Sequence, residues 1–518
     1  MIETTEAETP ILRRRGETWY RHHPQRSVGF FDRATRTLAL DTLRLPLTLE
    51  SDVASDLLAF VASLSAAERP RVVYITGGDE AATTPAPEWF TEPVLAGWNL
   101  RRWHNDTDRR TGVYDAGDLS SGVTIDLRMA APWFGAATDA SVCLAAWRLL
   151  GRQLRGAFGD HLSLLTTPAM TGTQLLEASL PASLSIPTLP DALRMQITAF
   201  STQGRRELFA PPAHAARLPE LVELDCRFAY AAACHHLPVG PVVEDGKREL
   251  APYVPGFYLV EAVVPRDWAH IGLLPDLASI EDATERVSYP RRPRHKFWSW
   301  ATGAEVELAR AWGWRVTIYQ RILWPETHRR PDVAKLWIER LVSLRQVLRQ
   351  RATPDAQLAA NAMRHLVIDA IGSFYRRERP EHGILPLARI DELPAGAIPH
   401  VEGDQVLWQR LAPIAPDLLR YAHPEWAATV WGRTRVRLAK QALHMPFDSL
   451  VALRTDGIWT CANAYDLAVA EFNDTSEKPG TWRVKSSLSG SSPAGLAWPE
   501  NEAALIALMR RARADEEE

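Results

Sequence analysis

Apolar positions along the first 195 residues switch repeatedly between a period of two and a helical period. Ser27 to Phe31 and Thr37 to Leu43 alternate as the arms of a hairpin, and Asp52 to Leu64 has the spacing of an amphipathic helix. Arg71 to Thr76 is a continuous apolar run that reads as a buried strand, Val123 to Leu127 as another, and Ala137 to Phe158 as a long helix. Further on, Glu305 to Trp312 predicts a helix and Arg315 to Leu323 a strand, joined at Gly313. Asp332 to Arg351 and Asp355 to Arg377 are two helical runs about the break Ala352-Thr353-Pro354, as in an antiparallel helical hairpin. Glu425 to Leu443 predicts a helix that feeds a strand ending near Asp456. Ser486 to Gly495 is rich in Ser and Gly and reads as a flexible loop, followed by a short helix from Glu500 to Arg511 and the acidic tail Asp515 to Glu518. No internal repeat is present. Interleaved helices and strands over this length predict an α+β chain of several domains.

Composition narrows the class. The chain has 518 residues, 46% hydrophobic and 24% charged, enough for large cores and more than one domain. No apolar run is long enough to span a bilayer, and Met1-Ile2-Glu3-Thr4-Thr5-Glu6 lacks the basic start and apolar core of a signal peptide, so no membrane is expected. Cys143, Cys226, Cys234 and Cys461 show no C-x-x-C spacing, which points away from a zinc ribbon or a disulfide framework and towards a reducing cytoplasm. A net charge of −4 argues against a protein that coats nucleic acid, though not against one whose phosphate contacts are confined to a groove. Basic clusters occur at Arg291-Arg292-Pro293-Arg294-His295-Lys296, at Arg376-Arg377, and at Arg433, Arg435, Arg437 and Lys440. The three alternating arginines cannot all face one side of a helix. Only six of the 59 basic residues are Lys, so Arg is the default cation of this chain.

Candidate chemistry centres on two aspartates. Asp225 ends the apolar run Leu221-Val222-Glu223-Leu224, with Tyr230 five residues on and Leu237-Pro238-Val239-Gly240-Pro241 soon after. Asp456 follows Leu450-Val451-Ala452-Leu453-Arg454-Thr455. Strands ending in carboxylates can bring two acids to shared divalent metals, the requirement of nucleotidyl transfer. Without a cation, two such carboxylates repel and one is pushed towards its protonated form. Taken singly, Asp225 also suits the cap of a strand-to-turn transition, and Asp456-Gly457 the tip of a hairpin. Tyr230 is either a ring packed beneath a nucleotide sugar or a plain core aromatic. Neither His22-His23 nor His235-His236 makes a natural two-His metal site, because adjacent strand residues point to opposite faces. Phe297-Trp298-Ser299-Trp300 could stack on unpaired bases, although core packing is the ordinary use of such a run.

Together these segments resemble family B DNA polymerases, and the protein-primed branch in particular, over roughly residues 196 to 490. Asp225 and Tyr230 fall on the first palm motif, and the Leu-Pro-x-Gly-Pro stretch recurs there. Thr202-Gln203-Gly204-Arg205-Arg206 resembles the Tyr-x-Gly-Gly linker, and Ala452 to Gly457 the last palm motif, Tyr-x-Asp-Thr-Asp-Ser. Arg364 to Phe374 is similar to the fingers helix. The resemblance implies a ribonuclease H-like, degenerate exonuclease domain over residues 1–195, then a right-hand palm over 196–330 and 386–490. Fingers helices would span 331–385, and residues 491–518 would form a short C-terminal helix and acidic tail with the thumb truncated. It implies a DNA-directed DNA polymerase that uses Mg²⁺ or Mn²⁺ held by Asp225, Asp456 and the carbonyl of Cys226. Tyr230, Arg364 and Gly372 would bind the deoxynucleoside triphosphate. Arg205, Arg206, Thr455 and Lys485 would contact the DNA primer-template, Lys485 by its likeness to a Lys-x-Tyr element. A terminal protein or another replication protein is the implied further partner.

The departures from the family pattern fall at the same places. In the last palm motif Ala452, Arg454 and Gly457 replace Tyr, the first Asp and Ser; in the fingers helix Arg364, Ile368 and Ile371 replace Lys, Asn and Tyr. The N-terminal segment offers Asp32, Asp126 and Asp139 as scattered acids rather than a set, so proofreading is not expected. These replacements keep open an alternative: a catalytically impaired, polymerase-derived protein that binds DNA or a replication complex.

Overall fold

A computed structural model describes the chain over residues 11–514, apart from residues 16–17, 23–26, 77–85, 105–109, 117–122, 138, 181–183, 185, 187, 212–216, 219, 282–286, 377–378, 413, 415–418, 420, 462–477 and 490–495. The acidic tail, Arg377 and His23 therefore lie outside the described residues. Two units form, one from Met1–Ala182 with Glu339–Tyr421 and the other from Ser183–Ile338 with Ala422–Glu518. Among the described residues no helix is long and apolar enough to cross a membrane.

Unit 1 is built on a ten-stranded mixed sheet. Its parallel centre is the apolar strands Val28–Asp32, Val72–Thr76 and Thr124–Met129, and its remaining pairings are antiparallel. Val28–Asp32 pairs with Thr37–Leu40, and the helices Ala54–Ser63 and Ala140–Phe158 lie where the apolar periodicity places them. Strands with buried side chains throughout suit the interior of such a sheet, covered on both faces. Phe30 stacks on Tyr74 at 5.2 Å, and Trp147 of the long helix meets Tyr74 at 5.4 Å, so aromatic packing fixes that helix to the sheet.

The two helical runs form as expected, over Lys335–Arg349 and Pro354–Phe374. The second packs against Ala140–Phe158 and Pro168–Ser179 within unit 1. Contact with Pro168–Ser179 is close enough that a Cβ on Gly172 would collide with the carbonyl of Leu366, and the buried hydroxyls of Thr173 and Ser373 meet at 3.0 Å. Gly172→Ala should therefore destabilise the protein by about 1–3 kcal/mol through overpacking, read as a lowered thermal midpoint. An unchanged midpoint would mean the helices separate freely.

Residues 386–421 differ from the expected palm assignment. Arg379–Pro386, Ile398–Glu402 and Gln405–Ala412 extend the unit 1 sheet, joined to Asn99–His104 through His382 opposite Trp103, and Ile384 packs on that unit's core. The physical reason is edge pairing: the free edge of Asn99–His104 accepts a distant strand, which no local pattern reveals.

Unit 2 runs in chain order through α1 (Asp191–Phe200), β1 (Arg206–Leu208), β2 (Glu220–Cys226), α2 (Ala229–Ala233), β3 (Val243–Asp245) and β4 (Gly256–Val263). It continues with β5 (Lys296–Thr302), α3 (Gly303–Ala311), β6 (Arg315–Leu323), α4 (Pro424–Leu443), β7 (Leu450–Arg454), β8 (Gly457–Cys461), β9 (Trp482–Ser489) and α5 (Glu502–Ala514). Strand β9 overturns the loop expected from Ser486: Ser486–Ser489 pair with Glu220–Glu223, and the Ser486 hydroxyl donates to buried Glu223, so the partner strand overrides the Ser/Gly composition.

Two larger antiparallel sheets result, in the orders β1-β7-β8-β2-β9 and β3-β6-β4-β5, beside a small one that pairs Arg217–Leu218 with Leu496–Ala497. Val222, Leu224, Leu453 and Ile458 of the first sheet share one core with Val260, Ile318 and the α4 residues Val436 and Leu438. On its other face Leu221, Trp459 and Leu488 pack beneath Leu505 and Met509 of α5. Strand β2 thus sends alternate side chains into two cores, and Glu223 and Asp225 continue the row that begins with Leu221.

Candidate active site

Asp225 lies at the end of β2, opposite Gly457 of β8 on one side and Arg483 of β9 on the other. Asp456 is in the two-residue turn between β7 and β8, where Arg454 pairs with Gly457. The Cys226 amide donates to the Asp456 carbonyl at 2.9 Å, tying the turn to the end of β2. Both aspartates therefore lie at the same end of one sheet, Asp225 on its strand β2 and Asp456 in the turn that joins β7 to β8.

The turn is held from outside as well. Thr455 has a positive φ of 56° and donates its amide to the Arg205 carbonyl at 2.7 Å. A Cβ on Gly204 would approach Thr455 Cγ2 to 2.9 Å, so the glycine retained in the linker is what lets the linker lie against the hairpin tip. Arg205 itself is only 2% exposed, ion-paired with Glu207 and stacked over Tyr289 at 4.2 Å. It supports the hairpin from within, a placement that does not suit the DNA contact expected of it. Arg206, beside it, is exposed and pairs across the strands with Arg454.

The electrostatic partners of Asp225 are cations of β9. Arg483 donates to Asp225 Oδ2 from Nε at 3.2 Å and from Nη2 at 3.1 Å, and Lys485 Nζ approaches Oδ1 at 3.7 Å. Lys485 also bonds Glu223 at 3.0 Å. The register between β2 and β9 shifts between Glu223 and Leu224, and such an extra residue re-aims its side chain, here so that one ammonium serves two carboxylates. Asp225 is 6% exposed and Glu223 3%, and in such burial a carboxylate needs this compensation. Glu223 and Arg483 were not singled out from sequence, and Arg437 only as part of a basic run. The signal for the first two was the strand period: Glu223 precedes Asp225 by two residues, as Arg483 precedes Lys485.

Helix α4 resolves its basic run as helical geometry requires. Arg433 and Arg437 share a face; Arg433 donates to the Ala233 carbonyl at 3.0 Å, and Arg437 reaches Cys226 Sγ at 4.0 Å. Arg435 points the other way, to buried Glu305 and to the linker carbonyls of Thr202 and Gln203. Burial pushes the Cys226 thiol up to about 11; Arg437 opposes the rise, and Asp456 and Asp225 add to it. The thiol thus stays protonated near neutral pH, and only the backbone of Cys226 has oxygen to offer a hard cation.

Tyr230 sits half-buried on α2, which starts at Phe228 in the left-handed conformation. The Leu-Pro-x-Gly-Pro stretch is held by Trp426, whose indole donates to the Pro238 carbonyl at 2.6 Å, and by Thr327 at Val239. Arg364 and Gly372 belong to unit 1, on the helix Pro354–Phe374, with Arg364 half-buried and Gly372 exposed. There too the scattered acids have local employment. Asp32 accepts from the Ala34 amide and the Thr35 hydroxyl, Asp126 pairs with Arg128, and Asp139 caps the helix Ala140–Phe158. Of the Trp-rich run, Phe297, Ser299 and Trp300 are buried and Trp298 is exposed.

No family model and no curated protein matches this sequence. Solved structures do. Phi29 DNA polymerase complexed with primer-template DNA and incoming nucleotide substrates is 12% identical with a TM-score of 0.55, over 90% of this chain and 85% of that one. Its orthorhombic crystal form gives 12% identity and a TM-score of 0.56, over 88% and 81%. Its complex with single-stranded DNA gives 12% and 0.54, over 85% and 78%. The fold of this chain is accordingly similar to that of Phi29 DNA polymerase.

Proposed function

We propose that this protein is a DNA-directed DNA polymerase, with Asp225 and Asp456 as the acidic pair of its palm and a ribonuclease H-like N-terminal domain that does not proofread. The observation that carries the reading is the pairing of Asp225 with Gly457, which brings both aspartates to one end of one sheet, within a chain of polymerase-like fold. Deoxynucleoside triphosphates and a DNA primer-template are the substrates on this reading, and a protein primer is compatible with it.

The donors present suit a magnesium ion delivered with the nucleotide. Two carboxylates and the Cys226 carbonyl are hard oxygen ligands, and Mg²⁺ commonly takes one or two carboxylates together with substrate phosphates. Arg483 and Lys485 offset the negative charge of Asp225 and Glu223, while Arg454 pairs with Glu502 at 3.7 Å, so the protein alone attracts a divalent cation weakly. When bound, the metal would activate the primer hydroxyl and stabilise the leaving pyrophosphate. The chain's own contribution is positional. The Cys226–Asp456 backbone bond and the Arg205–Thr455 bond fix the hairpin, and Arg483 and Lys485 orient Asp225 before substrate arrives.

Arg454→Asp should lower the Mg²⁺ concentration for half-maximal nucleotide addition by about tenfold, the effect of exchanging a nearby like charge for an attractive one. A titration of primer extension against Mg²⁺ checks this, and an unchanged midpoint would place Arg454 away from the metals. A binding-only protein is the second reading, favoured by the Arg483 and Lys485 contacts that already occupy Asp225. Wild-type protein that binds primer-template yet adds no nucleotide with Mg²⁺ or Mn²⁺ would establish it.

A further inference from the structure

The sheet β3-β6-β4-β5 has one face in the large core and another that is covered only in part. On that second face α1 lays Phe200 against Trp300 at 4.4 Å and nearly parallel, and Phe257 and Trp324 complete the cluster. Beyond it the face carries two large aromatic side chains in the open: Trp298 is 41% exposed and Tyr319 40%. Their rings lie 4.6 Å apart although β4 runs between their strands. The register explains how they meet. Leu259 pairs with Gln320 and Val260 with Ile318, so Tyr319 is the extra residue of a β-bulge, which turns its ring towards Trp298. Large aromatic rings left in water gain nothing from core burial, and a bulge that joins two of them makes a platform rather than scattered surface residues.

Cations gather at the adjoining end of the same sheet. Val263 pairs with Lys296 on one side and Arg315 on the other, and the Arg294 amide donates to the Val264 carbonyl at 3.0 Å. Arg292, Arg294, Lys296 and Arg315 are all exposed there. The opposing acids are Glu261, which pairs with Lys296 at 2.7 Å, and exposed Asp267, so the balance is positive.

We propose that this part of unit 2 binds single-stranded DNA, with bases stacked on Trp298 and Tyr319 and phosphates against Arg294, Lys296 and Arg315. Open aromatic faces beside a basic strip are what an unpaired strand requires, and stacking tolerates any sequence because every base has a π face. Duplex DNA keeps its bases stacked inside and presents no such face.

The test uses the full chain and a fluorescein-labelled oligothymidylate, read by anisotropy, with iododeoxyuridine-substituted oligothymidylate for photo-cross-linking. Wild type should give a cross-linked peptide containing Trp298 or Tyr319. Trp298→Ala and Tyr319→Ala should each weaken binding about tenfold, the usual range for loss of one stacked base. Arg294→Glu with Arg315→Glu should flatten the dependence of affinity on salt. Asp225→Asn should keep the cross-link, so loss of polymerase chemistry and loss of this site are separable. Duplex binding unaffected by the aromatic variants supports the proposal. Oligothymidylate affinity unchanged in the Trp298→Ala/Tyr319→Ala double variant, in protein whose circular dichroism matches wild type, would overturn it, as would cross-links confined to other peptides.

Discussion

Asp225→Asn and Asp456→Asn should each reduce nucleotide addition on a primer-template by on the order of a thousandfold or more, while both proteins remain folded. The amide keeps the shape and removes the charge, and no water restores that charge beside the departing phosphate. Three decades correspond to about 4 kcal/mol of transition-state stabilisation. Asp225→Asn has a second consequence, because Arg483 of β9 loses its anionic partner. Its thermal midpoint should fall, though far less than its activity. Single-turnover extension with saturating Mg²⁺ separates the two effects. Equal rates for wild type and both variants would place the chemistry elsewhere on the chain.

Glu305→Ala should strongly destabilise unit 2. Glu305 is 2% exposed and does two things at once: it closes a capping box with Thr302 at the start of α3, and it accepts from Arg435 at 2.8 Å and 3.2 Å. Arg435 is 6% exposed, and its remaining nitrogen holds the carbonyls of Thr202 and Gln203 at 2.6 Å and 3.2 Å. Burial disfavours the charge on Arg435, and Glu305 with Tyr289 outweighs it, so its pKa lies above the usual value. Removing one partner of a buried pair leaves the other charge stranded, at a cost of about 3–5 kcal/mol. For a unit of this size that is a thermal shift of about 10 °C. Replacing both partners by apolar residues should recover much of the loss. A shift too small to resolve in Glu305→Ala would mean that water reaches Arg435. Because the linker continues through Gly204 and Arg205 to the Thr455 turn, the variant should also slow nucleotide addition.

The sequence by itself determined the elements that carry their own periodicity. The hairpin from Val28, the long helix ending at Phe158, the helix-strand pair about Gly313 and the helix before Asp456 are each set by apolar spacing that one element can satisfy alone. It also picked out the two aspartates, because each follows a strongly apolar run. What it left open depends on partners distant in the chain. The strands from Arg379 to Ala412 join a sheet by pairing with a strand nearly three hundred residues earlier, and Ser486–Ser489 form a strand because β2 offers them an edge and Glu223 offers them a hydrogen bond. Arg205 lies inside because Glu207 and Tyr289 receive it, whereas Trp298 lies outside because α1 covers Trp300 and stops short. Arg483 meets Asp225 only through pairing across 258 positions of chain. Local spacing can specify a strand and its faces, but which edge it joins, and so which charge it meets, is decided by long-range pairing that only the assembled sheet supplies.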